Sequence, residues 1–423
     1  MPCEEQKYHE TVVLTPSVKM AASRDNNSEL RLLKSQLKME CVYATVSKVL
    51  DDDNLLIEIL LRVAFPSTLV CTALVCKRWF HHISDRKFLC RFRKLHPPCL
   101  LGYYLYGRFV PMLPQPPELA AVTRRVASYS LGGTEDATVL IRDCRNGSVY
   151  SLLCKRGSGV TGGVHRPLCQ DRAVAVIPPL SHPNFIASRI LSKEEDSGGL
   201  SYMYVTLGPP FERTRFTVFM LQDGVWCMHM SVTAQVCCRF KRLQAVLVEN
   251  KIYLTATMSD IIVLDLTTSS MSTIQLPQGV KSITSATMLS PADDASGVYL
   301  IKVDLELRIW LHSGENWSLV DTICYREMVA NLRMSDCTVD HENTTDVHIS
   351  QVGDNAEFAF LQMGRCTFYL DIKCRTLRKV HERKHWDPFE QIYPFMMIWP
   401  PTFPTLKDDF ARFAFCPLDD MYI

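Results

Sequence analysis

Ile252-Tyr-Leu254, Val263-Leu-Asp-Leu266 and Ile274-Gln-Leu-Pro277 follow one another in the chain, and the order returns as Phe358-Ala-Phe360, Tyr369-Leu-Asp-Ile372 and Leu377 to Val380. The displacement is 106 residues both from Ile252 to Phe358 and from Asp265 to Asp371. Another copy lies between them: Val298-Tyr-Leu-Ile-Lys-Val303, then Leu305-Glu-Leu-Arg-Ile-Trp-Leu311, then Trp317-Ser-Leu-Val320. Leu305, Leu307, Ile309 and Leu311 alternate with Glu306, Arg308 and Trp310, the period of two that a half-buried strand requires. Earlier strand candidates are 137–154, 172–178, 201–207 and 215–230. Units thus recur roughly every 50 residues, the spacing of propeller blades, and about 300 residues at that spacing make about six of them. One four-stranded blade cannot bury both of its faces, whereas a ring of blades can and leaves few open edges. The reading is a β-propeller over residues 120–423; an irregular β-sandwich or a pair of barrels is the alternative.

Upstream, residues 54–96 carry helical rather than strand periodicity. Leu55, Leu56, Ile59, Leu60 and Val63 share a helical face. Glu58 and Arg62 stand four apart on another face and can pair. Pro66 stops that helix, and Ser67 or Thr68 can cap the next. Leu69, Val70, Ala73, Leu74 and Val75 form a second run, continued at helical spacing by Trp79, Phe80 and Ile83, and Phe88, Leu89 and Phe92 form a third group. Three short helices bury little core alone, so such a unit needs the rest of the chain or a partner. The expected class is α+β: a small three-helix unit followed by a large all-β domain.

The run Leu55-Leu-Ile-Glu-Ile-Leu-Leu-Arg62, then Pro66, Leu74-Val-Cys-Lys-Arg-Trp79 and Phe88-Leu89, resembles an F-box. Its closest flavour is the large plant group with a Leu-His-Pro-Pro stretch followed by Leu-Gly, here Leu95-His-Pro-Pro98 and Leu101-Gly102. The family's usual Leu-Pro opening is replaced by Leu50-Asp-Asp-Asp53. Many plant F-box proteins carry an associated β-domain, which agrees with the propeller reading. The resemblance implies a non-catalytic substrate receptor of an SCF-type cullin ubiquitin ligase. The F-box would bind a Skp-type adaptor and, through it, the cullin and RING subunits, while the β-domain would present a protein substrate. Residues matching family positions at the adaptor contact or in the F-box core are Leu55, Ile59, Leu60, Pro66, Leu69, Val75, Cys76 and Trp79. No substrate-binding residue is assigned, because propeller loops vary freely on a fixed scaffold. The rival function is an adaptor-independent propeller scaffold.

The expected organisation is a disordered or partly helical segment at 1–49, the F-box-like unit at 50–96, a linker at 97–119 marked by Pro111, Pro114, Pro116 and Pro117, and the β-domain from 120 onward. Apolar content of 47% and charged content of 22% are ordinary for a soluble globular chain, and a net charge of +1 exerts no general pull on nucleic acid or anionic membrane. Lys77, Arg78, Arg86, Lys87, Arg91, Arg93 and Lys94 oppose Asp85 alone, which reads as a solvated basic face. Seventeen cysteines is high and odd, with no Cys-x-x-Cys pair. Cys71, Cys76, Cys237 and Cys238 sit in apolar runs, which reads as reduced, buried thiols in the cytoplasm or nucleus. No stretch reads as a signal peptide or a membrane span.

Two enzyme-like motifs are tested and set aside. His381-Glu-Arg-Lys-His385 has the spacing of a zinc-protease helix, but it follows a strand-like run, and Pro388 leaves hardly two helical turns. Gly157-Ser-Gly-Val-Thr-Gly162 fits the dinucleotide fingerprint in letters, yet Gly163-Val-His-Arg-Pro167 opens no helix for a pyrophosphate. No cofactor or metal is expected. Trp310, Trp317, Trp386, Trp399 and the run Tyr393–Pro400 read mainly as packing between blades.

Overall fold

The computed structural model describes residues 46, 48–96, 99–131, 137–145, 147–155, 159–168, 173–176, 187–194, 200–208, 213–235, 243–292, 297–333, 347–383 and 391–397. The chain divides into two compact units, one holding the residues up to Ala64 with Thr68–Phe92, the other Phe65–Ser67 with everything from Arg93 onward.

The first unit is helical. α1 (Asp53–Leu60) starts at Asp52, whose carboxylate accepts the N–H groups of Asn54 at 2.8 Å and Leu55 at 3.1 Å. Those amides have no helical partner of their own, so this cap removes an unmet demand. α2 (Pro66–Ala73) begins on Pro66, a position where the missing N–H costs nothing. The expected single second helix is two. Cys76 is extended, at φ −161° and ψ 165°, and breaks the run before α3 (Lys77–Ser84); Asp85, extended at φ −64° and ψ 128°, breaks it again before α4 (Arg86–Leu95). Among the described residues, 53–95 therefore hold four helices where the sequence reading has three, because helical spacing alone does not register a short non-helical break; helical residues also precede them at 48–51. Leu56, Leu60, Leu69, Ala73, Ile83, Phe88 and Phe92 are buried, and the Phe88 and Phe92 rings stack at 6.0 Å. Glu58 pairs with Arg91 rather than with Arg62, which lies in the turn after α1 ends and has lost the i+4 geometry.

The second unit opens with β1 (Cys99–Leu105) and β2 (Arg108–Pro111), so the segment 97–119, expected as a linker, is largely blade. A 3-10 turn (Pro117–Leu119) and α5 (Ala120–Ser128) follow, with α5 packed on β2. Four-stranded antiparallel sheets then succeed one another. The first is β3 (Ala137–Arg145), β4 (Ser148–Lys155), β5 (Gly159–His165) and β6 (Ala173–Val176). The second is β7 (Ala187–Glu194), β8 (Leu200–Leu207), β9 (Thr214–Gln222) and β10 (Val225–Ala234). The third is β11 (Ala245–Val248), β12 (Lys251–Leu254), β13 (Asp260–Asp265) and β14 (Ser270–Gln275). The fourth is β15 (Thr287–Pro291), β16 (Val298–Val303), β17 (Leu307–Ser313) and β18 (Asn316–Ile323). After α6 (Tyr325–Arg333) comes the fifth: β19 (Val347–Val352), β20 (Phe358–Met363), β21 (Cys366–Asp371) and β22 (Thr376–Glu382). Finally β23 (Tyr393–Met397) returns to pair antiparallel with β1, Tyr104 opposite Tyr393 and Cys99 opposite Met397, in the sheet order β2-β1-β23.

This is a six-bladed β-propeller. The first strands β3, β7, β11, β15 and β19 and the closing strand β23 are innermost, and β23–β3, β3–β7, β7–β11, β11–β15 and β15–β19 touch in turn. The core is not inside blades but between them. Leu191, Val205, Phe216 and Val218 of the second blade pack with Ala245, Ile252, Leu254 and Ile262 of the third. Ile301, Leu307 and Ile309 of the fourth pack with Leu361, Phe368 and Leu370 of the fifth. Because each sheet is covered on both faces, strand alternation is weak: all six residues of β20 are buried. The alternation expected over 305–311 is corrected accordingly. Leu305 lies in the turn before β17 and is exposed; a bulge between Ile309 and Trp310 then buries Trp310 and leaves Leu311 half-buried.

The sequence repeat coincides with the blades: its elements are β12, β13 and β14 in the third and β20, β21 and β22 in the fifth, with β16, β17 and β18 between. Closure rests on an aromatic group in which Tyr104, Phe109 and Phe395 meet edge to face at 5.5 to 6.1 Å. Gly102 lies beneath it. A Cβ there would stand 2.3 Å from the Val110 carbonyl oxygen and 2.6 Å from the Phe109 ring, so no side chain fits.

Candidate functional site

Within the helical unit, α1 carries a broad apolar face but buries only part of it. Leu56 and Leu60 face inward, at 0% and 1% exposure, while Leu55 and Ile59, four apart, keep 47% and 42%. Leu74 and Val75, in the turn between α2 and α3, keep 46% and 63%. Exposed large aliphatic side chains mark a candidate partner surface where they form a contiguous patch.

Arg78 fixes the geometry of this surface. Its Nη1 donates to the Leu50 carbonyl at 2.6 Å, one Nη2 hydrogen goes to the Asp51 carbonyl at 2.7 Å, and Nε reaches Asp53 Oδ1 at 2.9 Å. His82 Nε2 lies 2.9 Å from the same oxygen. The first turn of α3 is thereby tied to the first turn of α1. The hydrogen bond from Arg78, then that from His82, holds the Asp53 carboxyl below the usual carboxylate range. The basic run is thus not one open face, because Arg78 serves Asp53 and Arg91 serves Glu58.

The residues named from the sequence separate into two groups. Leu55, Ile59, Val75 and Cys76 are exposed and Trp79 is half-buried, whereas Leu60 and Leu69 belong to the unit's own core. Pro66 is the first residue of α2. Cys71 and Cys76, expected to be buried thiols, are both exposed, since each falls on the outer side of its apolar run; Cys237 and Cys238 lie outside the described residues.

In the second unit, His381 and Glu382 stand on strand β22, where side chains alternate in direction rather than sharing a helical face. Glu382 accepts from Lys379 at 2.9 Å, and His385 lies outside the described residues. Among the described residues no group of three or more His, Cys, Asp and Glu side chains is placed to hold a metal ion. Residues 159–165 of the glycine-rich stretch are the strand β5, hydrogen-bonded between β4 and β6, not a turn opening a helix. Trp310 is buried against the third blade, and Trp317 donates to the Gln275 carbonyl at 2.8 Å, so both tie the fourth blade to the third. Trp386 and Trp399 lie outside the described residues.

The sequence reading did not foresee the aliphatic exposure of the β-domain. Val225 and Met228 on the outer strand β10 keep 62% and 65%, and Leu319 and Val320 on β18 keep 56% and 53%. The signal was present as apolar residues in the last strand of a blade, where β14 by contrast reads Ser-Met-Ser-Thr-Ile-Gln. No helix among the described residues is long and apolar enough to cross a membrane.

Compared with known proteins, residues 140–403 match the family described as F-box protein AT5G49610-like, beta-propeller. No curated protein sequence matches the chain. Among solved structures it is similar to Zg3597, a family 117 glycoside hydrolase of the marine bacterium Zobellia galactanivorans, at 14% identity and a TM-score of 0.28, over 46% of this chain and 72% of that one. A mutant of the Aleuria aurantia lectin in complex with α-methyl-L-fucoside aligns at 9% identity and a TM-score of 0.35, over 60% of this chain and 80% of the lectin. A Bacteroides thetaiotaomicron protein of unknown function aligns at 11% identity and 0.35, over 63% and 65%.

Proposed function

The chain belongs to the F-box protein AT5G49610-like β-propeller family, and on that premise we propose that it is the substrate receptor of an SCF-type cullin ubiquitin ligase. In this reading residues 50–96 are the F-box and dock a Skp-type adaptor, which carries the cullin and RING subunits, while the propeller holds a protein substrate. The observation that supports it most is the exposed quartet Leu55, Ile59, Leu74 and Val75 on a helical unit that precedes a propeller of this family. Leu60 and Leu69 serve by folding the unit rather than by touching the adaptor.

The receptor needs no catalytic residue of its own. It holds the substrate beside a charged ubiquitin-conjugating enzyme, so a bimolecular transfer proceeds at the effective concentration that tethering sets.

One observation favours the rival scaffold reading. Where the family carries Leu-Pro, this chain has Leu50-Asp-Asp-Asp53, and the backbone and carboxylate of that segment are turned to Arg78 and His82. Co-expression separates the two. A receptor gains soluble yield and thermal stability with a Skp-type adaptor, because the adaptor binds the folded state alone. Unchanged yield and melting temperature with the adaptor present would leave the scaffold reading.

A further inference from the structure

Where the fifth blade meets the closing blade β2-β1-β23, the surface holds a cleft of about 160 Å³. Both blades supply its apolar wall: Phe358 on β20 and Tyr369 on β21, Leu100 on β1 and Met396 on β23. Leu100 stands opposite Met396 in the β1–β23 register, and the Phe358 and Tyr369 rings lie 5.5 Å apart. Phe358 is buried and the other three are half-buried in the same cluster, so the wall is packed from behind and open in front.

Two acidic residues complete the lining. Asp371 ends β21 opposite Phe358, and Glu357 stands one step beyond that pair, where its carbonyl accepts the Ile372 N–H at 3.0 Å. Both are half-buried. The turn after β21 fixes Asp371, whose Oδ1 accepts the Cys374 N–H at 2.7 Å. Burial and then Asp371 push the Tyr369 hydroxyl up to about 12, with Arg378 opposing and Glu357 adding less. Two cations are close by. Arg378 lies outside the lining: its guanidinium sits 4.9 Å from the centre of the Tyr369 ring, and its Nη1 donates to the Leu113 carbonyl at 2.6 Å. Lys373 does line the cleft, from the exposed turn at 372–375. The lining therefore carries two carboxylates against one ammonium, over a wall of aromatic and aliphatic carbon.

Small-molecule pockets run to roughly 300–1,000 Å³, so this one takes the end of a single side chain rather than a whole metabolite. An anion would meet two carboxylates, and a neutral group would gain nothing from them. A cation on an aliphatic stem suits both wall and carboxylates. Arg378 already packs in this way on Tyr369 from within the chain. We propose that the cleft receives a lysine or arginine side chain of a partner protein, resting on the reading, common to receptor and scaffold, that the propeller holds a protein. The partner's methylenes lie on Phe358, Tyr369 and Met396, and its cationic head meets Glu357 and Asp371.

The test titrates the capped tripeptides Ala-Lys-Ala and Ala-Arg-Ala into the full chain, beside Ala-norleucine-Ala and Ala-Glu-Ala, by saturation-transfer NMR. The expected result is saturable binding of at least one basic peptide, roughly threefold or more tighter than the norleucine peptide. Glu357→Gln and Asp371→Asn should each weaken it roughly threefold, the scale of a partly exposed ion pair, and Asn keeps an acceptor for the Cys374 N–H. Lys373→Glu should strengthen it roughly threefold by reversing a repelling charge. Lys373 is exposed, so its variant folds even where Asp371→Asn does not. Equal binding of the norleucine and basic peptides, or tighter binding of the glutamate peptide, would overturn the assignment to a cation. Unchanged affinity in both Glu357→Gln and Lys373→Glu would overturn the site. Adaptor retention is read separately: a chain that binds the basic peptide but no adaptor refutes the receptor reading alone, and one that retains the adaptor but binds no basic peptide refutes the cleft alone.

Discussion

Replacing Phe395 by Ala probes the closure of the ring. Phe395 is fully buried on β23, the strand that completes the sixth blade, and its ring meets those of Tyr104 and Phe109 at 5.8 and 6.1 Å. Removing a buried phenyl ring costs about 3–5 kcal/mol through lost transfer energy and the cavity left behind. Here the upper half of that range is expected, because two edge-to-face contacts are lost with it. For a folding unit of about 300 residues the entropy of unfolding converts about 4–5 kcal/mol into a fall of roughly 6–8 °C in melting temperature. Scanning calorimetry on the full chain measures it, with Val225→Ser on the exposed outer strand as the control, expected within about 0.5 kcal/mol of wild type. A Phe395→Ala protein that melts with the control would refute the argument that β23 holds the ring closed.

Other consequences can be checked alongside. Gly102→Ala should destabilise the propeller by about 2–3 kcal/mol, since the added carbon meets the Val110 carbonyl and the Phe109 ring at once, and a chemical denaturation curve would show it as a lower midpoint. Leu60→Ala should cost the helical unit about 2–4 kcal/mol, against less than about 0.5 kcal/mol for Asp at exposed Ile59, read by the helical circular dichroism signal on heating. Asp53 gives a pH signature. Its folded-state carboxyl is held below the ordinary value, so its contribution is present above pH ~4 and is lost as the pH falls through the lowered value. An acid titration of helicity should therefore lose its dependence below pH ~4 in part when Asp53 is replaced by Asn, and identical curves for the two proteins would contradict the Arg78–Asp53–His82 tie.

The propeller was legible because β12 to β14 and β20 to β22 repeat both spacing and chemistry, and a 106-residue displacement survives in the sequence even though loops differ. The innermost strands β11, β15 and β19 were not read. Ala245-Val-Leu-Val248 is a short apolar run covered on both faces, which has no period to recognise. β1 and β2 were taken as a linker because their partner β23 lies near the other end of the chain, and local reading cannot see that pairing. In the helical unit the exposed Leu55 and Ile59 were named together with the buried Leu60 and Leu69, since an apolar run wider than the stripe that packs inward does not announce which of its residues are buried.

The claim that most needs testing is that the exposed face of α1 docks an adaptor. The direct measurement is affinity purification of the full chain from a plant-type extract, read by mass spectrometry, beside the Leu55→Asp/Ile59→Asp variant. Both substitutions lie on exposed positions, so the variant keeps its fold, which the melting curve verifies. The account predicts that wild type retains a Skp-type adaptor and a cullin, that the variant loses both, and that proteins retained by both forms are substrate candidates. Recovery of adaptor and cullin at equal yield by the folded variant, or by neither form, would contradict it.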